Sequence, residues 1–230
     1  MVTAPILCYV TDRKLLAGSE GGAGPEVLAK IREAIAAGVD WVQIREKDME
    51  ASELLRLVQE AVRADGHGRF LGARRKIIVN DRCDVAIAAS AAGVHLSRES
   101  APVSEVVRWC RQGNAPREFM VGVSCHGVAE ARDAESAGAS YVIFGPIFDT
   151  PSKRAFGEPI GIAQLSVVCA ALKIPVLAIG GIDARNAREC WRAGAAGIAA
   201  IRMFQEARDA DELNSRIESL CSDPGIGSKR

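Results

Sequence analysis

AIAAGVDWVQI (Ala34–Ile44), ASAAGVHLS (Ala89–Ser97), ESAGASYVIFG (Glu135–Gly145) and RAGAAGIAAI (Arg192–Ile201) are four copies of one joint: a helix end, a glycine, then a short apolar strand. Working outward, runs rich in Val and Ile mark strands at Ile6–Thr11, Trp41–Arg45, Lys76–Asn80, Gly93–Ser97, Phe119–Ser124, Tyr141–Pro146, Pro175–Gly180 and Gly197–Ile201. Most are almost continuously apolar, as parallel strands buried on both faces require. Helical periodicity fills the spaces between them. Glu26–Ala37 puts Val27, Ile31, Ala34 and Ile35 on one face, and Ala51–Ala64 does so with Leu54, Leu55, Val58 and Val62. Val128–Ala137 and Ala184–Ala193 run into Gly138 and Gly194, which suit the left-handed position after a helix; a last helix covers about Asp209–Leu220.

Eight strand–helix units in 230 residues predict a single-domain (β/α)8 barrel, the TIM-barrel architecture, over residues 1–221, with a polar, flexible tail at 222–230. The rival is a doubly wound open sheet. Its dinucleotide-binding form wants Gly-x-Gly-x-x-Gly after the first strand, where this chain has Thr11-Asp12-Arg13-Lys14. A Gly-rich loop, Leu15–Gly24, follows, and a basic segment, His67–Arg75, precedes the third strand on the face away from a barrel's active site.

Lys+Arg and Asp+Glu each number 29, a balance that disfavours a nucleic-acid scaffold. The seven cysteines form no Cys-x-x-Cys pair and read as buried thiols in a reducing compartment. No secretory leader is evident, and no apolar run approaches the roughly 20 residues that span a bilayer. The expectation is a cytoplasmic protein that binds neither membrane nor nucleic acid; an assembly of identical chains is left open.

Active sites of such barrels lie at the C-terminal ends of the strands. There the second strand ends Gln43-Ile44-Arg45-Glu46-Lys47, the third Asn80-Asp81-Arg82, the fifth Ser124-Cys125-His126, and the sixth leads into Thr150, Ser152, Lys153 and Arg154. Cations with amide and hydroxyl donors suit a pyrophosphate, and Asp81 among them suits Mg2+. Gly180-Gly181 after the seventh strand and the end of the eighth form a second phosphate signal. Two phosphate sites at one mouth suggest two phosphorylated small-molecule substrates, and a transferase or isomerase acting on them.

At QIREK (Gln43–Lys47), IVNDRCD (Ile78–Asp84), GVHL (Gly93–Leu96), VGVSCH (Val121–His126), FGPIFDTPSK (Phe144–Lys153) and AIGGI (Ala178–Ile182) the chain resembles the thiamine phosphate synthases. The resemblance implies a thiamine-biosynthetic transferase. It would join 4-amino-5-hydroxymethyl-2-methylpyrimidine diphosphate to 4-methyl-5-(2-phosphoethyl)thiazole and release pyrophosphate by a dissociative, Mg-assisted route. It further implies that Gln43, Ile44, Arg45, Glu46, Lys47, Asn80, Ser124 and Lys153 bind the pyrimidine diphosphate. Thr150, Pro151, Ser152, Gly181, Ile201 and Arg202 would meet the thiazole phosphate. Arg45, Lys47, Lys153 and Ser124 form the expected catalytic set, and Asp81 and Ser100 the metal site.

Two positions depart from the family pattern. Ser100 stands where a second metal-binding Asp is usual, and Arg202 where a Ser is usual. These departures keep two alternatives in view. One is a thiazole tautomerase using His126 for proton transfer. The other is a non-catalytic barrel that holds a thiazole phosphate. Cys125 reads as a packing residue.

Overall fold

The computed structural model describes residues 4–16, 24–64, 75–150 and 158–221. The apolar runs become β1 Ile6–Val10, β2 Trp41–Ile44, β3 Lys76–Asn80, β4 Gly93–Leu96, β5 Met120–Cys125, β6 Tyr141–Phe144, β7 Val176–Ile179 and β8 Gly197–Ala200. They pair in parallel in chain order and β1 closes on β8, which excludes the open doubly wound sheet. The α-helices among the described residues are α1 Gly24–Ala36, α2 Ala51–Ala64, α3 Cys83–Ala88, α4 Val103–Trp109, α5 Val128–Ser136, α6 Gly161–Ala171, α7 Ala187–Arg192, α8 Arg202–Gln205 and α9 Ala210–Cys221. No helix among the described residues is long and apolar enough to cross a membrane. Residues 17–23 of the Gly-rich loop, 67–74 of the basic segment and the 222–230 tail lie outside the described residues.

The α7 helix begins at Ala187 rather than Ala184 because side chains capture the backbone first. Asp183 Oδ1 accepts from the N–H of Arg185 at 2.8 Å, and Asn186 Oδ1 accepts from the N–H of Asp183 at 2.9 Å. These local bonds compete with helical ones and turn the chain before the helix starts.

The four joints precede the even-numbered strands and share one hydrogen-bond pattern. Gly38, Ser90, Gly138 and Gly194 all have left-handed backbone, with φ of 97°, 62°, 93° and 97°. The next residue's N–H reaches back to Ala34, Ala86, Ala134 or Cys190, closing the helix end in a Schellman arrangement. One residue further, the N–H of Asp40, Ala92, Ser140 or Ala196 donates to the preceding strand. The second copy is therefore aligned on Ser90, not on Gly93, which lies within β4.

Three residues after each left-handed position comes an inward-facing position of the barrel: Trp41, Gly93, Tyr141 and Gly197. Trp41 and Tyr141 meet edge to face with ring centroids 4.9 Å apart. Tyr141 lies over Gly122, where a Cβ would come within 2.0 Å of its ring. With Cys8, Ile78 and Leu177, these aromatics fill the barrel floor. Alternate strand residues such as Val42, Val79, Val94, Val142 and Ile198 face outward and pack with the helices.

Ser90 carries a Cβ where the other three copies have glycine. Ser90→Gly should stabilise the protein by about 0.5–1 kcal/mol by relieving left-handed strain. Urea unfolding of the variant against the parent checks this.

Candidate functional site

Above the aromatic floor, inward positions divide the mouth in two. From β2 to β5 they are Gln43, Asn80, His95 and Ser124. On β6, β7, β8 and β1 they are Ile143, Ile179, Ala199 and Val10, all apolar. Gln43 Nε2 donates to Asn80 Oδ1 at 2.9 Å, and Asn80 Nδ2 donates to Asp81 Oδ2 at 2.6 Å. Gln43 is buried, and its Oε1 has no hydrogen-bond partner among the described residues. This is an acceptor in want of a donor at the polar half of the mouth, and an unpaired buried acceptor is costly.

Asp81 stands just past β3 with φ 58°, a left-handed conformation that aspartate tolerates better than most residues. Its Oδ1 accepts from the Ser97 N–H at 3.0 Å and from the Ser100 hydroxyl. Burial works against its ionisation. The bonds from Ser100 and Ser97 and the charge of Lys47 outweigh that, so its pKa lies below the ordinary carboxylate value. Ser100, which stands where the family pattern has an Asp, is thus in direct contact with Asp81.

The second strand ends at Ile44, earlier than its composition suggested. Arg45 follows half-buried, and Lys47 lies exposed in the turn beyond it. Lys47 lies close enough to help lower the pKa of Asp81, and Arg45 close enough to help lower that of His95. The side chains of Ile44 and Glu46 point elsewhere. Ile44 packs outward with the helices. Glu46 is buried, with Oε1 accepting from the Thr11 hydroxyl at 2.6 Å and Oε2 from the Arg13 N–H at 3.1 Å.

Below Ser124 runs a polar chain. The His95 Nε2 lies 2.9 Å from Ser124 Oγ, and its Nδ1 lies 3.1 Å from the Tyr141 hydroxyl. Burial, chiefly, holds the His95 pKa down at about 4; the charge of Asp81 raises it and that of Arg45 lowers it. His95, within GVHL, is a residue of the mouth that the motifs alone do not single out. Strand alternation from Gly93 is the signal that places it inside the barrel.

On the apolar side, the loop after β6 packs against the end of β7. The N–H groups of Ile147 and Phe148 donate to Ile179 and Gly180 at 2.9 and 3.0 Å. Gly181, φ 65°, leaves no room for a side chain, since a Cβ would lie 2.4 Å from the Asp149 carbonyl oxygen. Thr150 is half-buried at the end of the described loop; Pro151, Ser152 and Lys153 lie outside the described residues. Ile201 precedes α8, and Arg202 opens it with its Nε 3.3 Å from Glu206 Oε1. His126 Nδ1 sits 2.5 Å from the Gly145 carbonyl oxygen. Cys125 is buried among outward-facing residues and its thiol is pushed up to about 12 by burial, first of all, and by Glu130, which suits packing rather than nucleophilic chemistry.

The family model described as thiamine monophosphate synthase matches residues 7–204, nearly the whole barrel. The chain belongs to the thiamine monophosphate synthase family. A thiamine-phosphate synthase from Methanocella arvoryzae is 38% identical over 216 residues, 94% of each chain. Another from Chlorobium luteolum is 37% identical over 224 residues, 97% of this chain and 96% of its own. Among solved structures, a thiamine phosphate pyrophosphorylase from Pyrococcus furiosus superposes with a TM-score of 0.76 at 29% identity, covering 94% of this chain and 93% of its own. A 3-hexulose-6-phosphate synthase, 16% identical with a TM-score of 0.63, shares the fold alone.

The buried His95 makes a pH signature for this member of the thiamine monophosphate synthase family. Folded, its pKa is about 4, against an ordinary value of 6.5. Between these values the unfolded chain binds the extra proton, so this contribution to stability is present above the upper value and is lost as pH falls toward the lower. From pH 7 to pH 5 the parent should lose about 2 kcal/mol more than His95→Gln, measured by urea unfolding at both pH values.

Proposed function

We propose that this chain makes thiamine monophosphate by joining 4-amino-5-hydroxymethyl-2-methylpyrimidine diphosphate to 4-methyl-5-(2-phosphoethyl)thiazole, and that it does so in the cytoplasm. Membership of the family supports the reaction. The observation that carries the site assignment is the buried Gln43 Oε1, without a partner among the described residues, beside the Asn80–Asp81 chain. It offers an acceptor to the pyrimidine amino group, while Arg45 and Lys47 flank the position of the diphosphate.

In the reaction the bond between the methylene carbon and the diphosphate oxygen breaks, and pyrophosphate leaves with the electron pair. The pyrimidine amino group delocalises the resulting cation. The thiazole nitrogen then supplies its lone pair to form the new carbon–nitrogen bond. The work of the protein is positioning and charge stabilisation. Arg45, Lys47 and Lys153 meet the negative charge that builds on the departing group, and the Ser124 hydroxyl, oriented by His95, donates to it. The apolar arc of Ile143, Ile179 and Ala199 suits the thiazole ring. Gly181, Thr150, Ile201 and Arg202 would meet its phosphate, and the family resemblance assigns Pro151 and Ser152 to the same group.

A divalent ion fits this donor set in a restricted way. Among the described residues no three His, Cys, Asp or Glu side chains converge, and Asp81 carries the Ser100 hydroxyl on its Oδ1. Mg2+ commonly uses one or two carboxylates and takes its other ligands from phosphate oxygens and water. When bound, Mg2+ would neutralise charge on the leaving diphosphate. Asp81 and Ser100 are the residues to hold it.

Mixing both substrates with Mg2+ and following pyrophosphate tests the proposal, and no release at high enzyme concentration overturns it. Arg45→Ala and Lys153→Ala should each lower turnover at least about tenfold, equivalent to about 1.4 kcal/mol in barrier, by steady-state kinetics. Ser100→Asp should lower the Mg2+ concentration that half-saturates activity, because a second carboxylate joins the first. An unmoved Mg2+ titration places Ser100 away from the metal.

A further inference from the structure

The turn that carries Arg45 and Lys47 is not held by its own strand, which ends at Ile44. It is held from the side by the segment that follows β1. The Thr11 hydroxyl, wholly buried, works in two directions. It accepts from the Arg45 N–H at 2.9 Å and donates to Glu46 Oε1 at 2.6 Å. The Thr11 N–H donates to the Gln43 carbonyl at 3.0 Å, which continues the pairing of β1 with β2 by one residue. Glu46 Oε2 accepts from the Arg13 N–H, and the Glu46 carbonyl accepts from the Met49 N–H at 3.2 Å. At the far end of the turn Asp48 pairs with Arg13 Nη1 at 2.7 Å and Lys14 Nζ at 2.9 Å.

This clamp has a fixed foundation. Gln205, buried on α8, accepts from the Tyr9 hydroxyl at 3.1 Å and from the Asp12 N–H at 3.2 Å. Its Nε2 donates back to the Asp12 carbonyl at 2.5 Å. The β1 segment therefore bridges α8 on one side and the cationic turn on the other. A buried carboxylate whose two oxygens both accept from the segment after β1 is engaged there rather than with a substrate, and beside a diphosphate it would repel. Its value lies in fixing the backbone from which the two cations project.

We propose that Thr11 and Glu46 are positioning residues that set Arg45 and Lys47 for the diphosphate, acting through the backbone of the turn. The inference rests on the diphosphate reading of the site. It removes Glu46 from the residues that touch substrate and gives Thr11 a role in the site. A misplacement of about 1 Å in a positioning group can cost on the order of a hundredfold in rate, so a loosened turn has a measurable effect.

The test compares Thr11→Val, Thr11→Ser and Glu46→Gln in the full-length chain. Thr11→Val removes the hydroxyl and leaves the Arg45 N–H and Glu46 Oε1 without their partner; Thr11→Ser keeps the hydroxyl. Thr11→Val should raise KM for the pyrimidine diphosphate and weaken binding of inorganic pyrophosphate with Mg2+, measured by calorimetry, each by at least about tenfold (about 1.4 kcal/mol). KM for the thiazole phosphate should stay within about twofold, and Thr11→Ser should return both affected quantities to within about threefold of the parent. Glu46→Gln, which retains an acceptor for Thr11 but not the charge, should shift the same quantities in the same direction by less. A purely structural role would lower the melting temperature and the active fraction without separating the two substrates. Equal change in both KM values, or unaltered pyrophosphate binding in Thr11→Val, overturns the inference; if Thr11→Val does not fold, the same criteria apply to Glu46→Gln. A parent protein that neither binds pyrophosphate nor releases it from the two substrates defeats the diphosphate reading itself, an outcome distinct from a parent that does both while its variants behave like it.

Discussion

The edge-to-face contact of Trp41 with Tyr141 across the barrel floor is the constraint on which the rest of the structure depends. Two large rings on opposite strands fill one interior layer, so Gly93 and Gly197 occupy the other two even-numbered strands at that level. Gly122 makes room for the Tyr141 ring. Because side chains alternate along a strand, fixing this layer fixes every layer above it. Gln43 and His95 are inward because Trp41 and Gly93 are. The Tyr141 hydroxyl gives His95 a partner within the apolar floor.

The mouth that results is polarised around its circumference. The polar arc from β2 to β5 holds amides, a hydroxyl, an imidazole and one strained aspartate. The opposite arc offers aliphatic side chains and close-packed glycine backbone. Such a division suits a reaction in which one reactant loses a highly charged group while the other brings an aromatic ring and a smaller anion. The two reactants need not compete for one kind of surface, and the bond forms where the arcs meet.

Most of this was legible in the sequence where periodicity governs. All eight strands form where apolar runs occur, and the left-handed glycines at Gly138 and Gly194 follow their helices as expected. Legibility fails where side chains bond to backbone. The α7 start moved because Asp183 and Asn186 close a turn first. Glu46 lies in a segment whose composition points to substrate, yet its partners are Thr11 and Arg13, more than 30 residues away in the chain. No spacing rule announces a bond of that range. His95 and Tyr141 form a polar pair only because the barrel brings β4 and β6 to either side of β5, and Ser90 conceals a left-handed position behind a residue that does not advertise it.

The shared joint before β2, β4, β6 and β8 also divides the molecule's capacity for change. Those four connections have one length and one set of bonds, so each leaves its helix in the same direction and enters the barrel at the same height. The connections before β3, β5 and β7 do not match one another: they run through residues 65–75, 110–119 and 172–175. Lineages of this architecture can therefore lengthen or shorten at alternate seams while the intervening quarter-turns stay rigid. Grafts and new chain termini belong at the odd seams, on the end of the barrel opposite the chemistry.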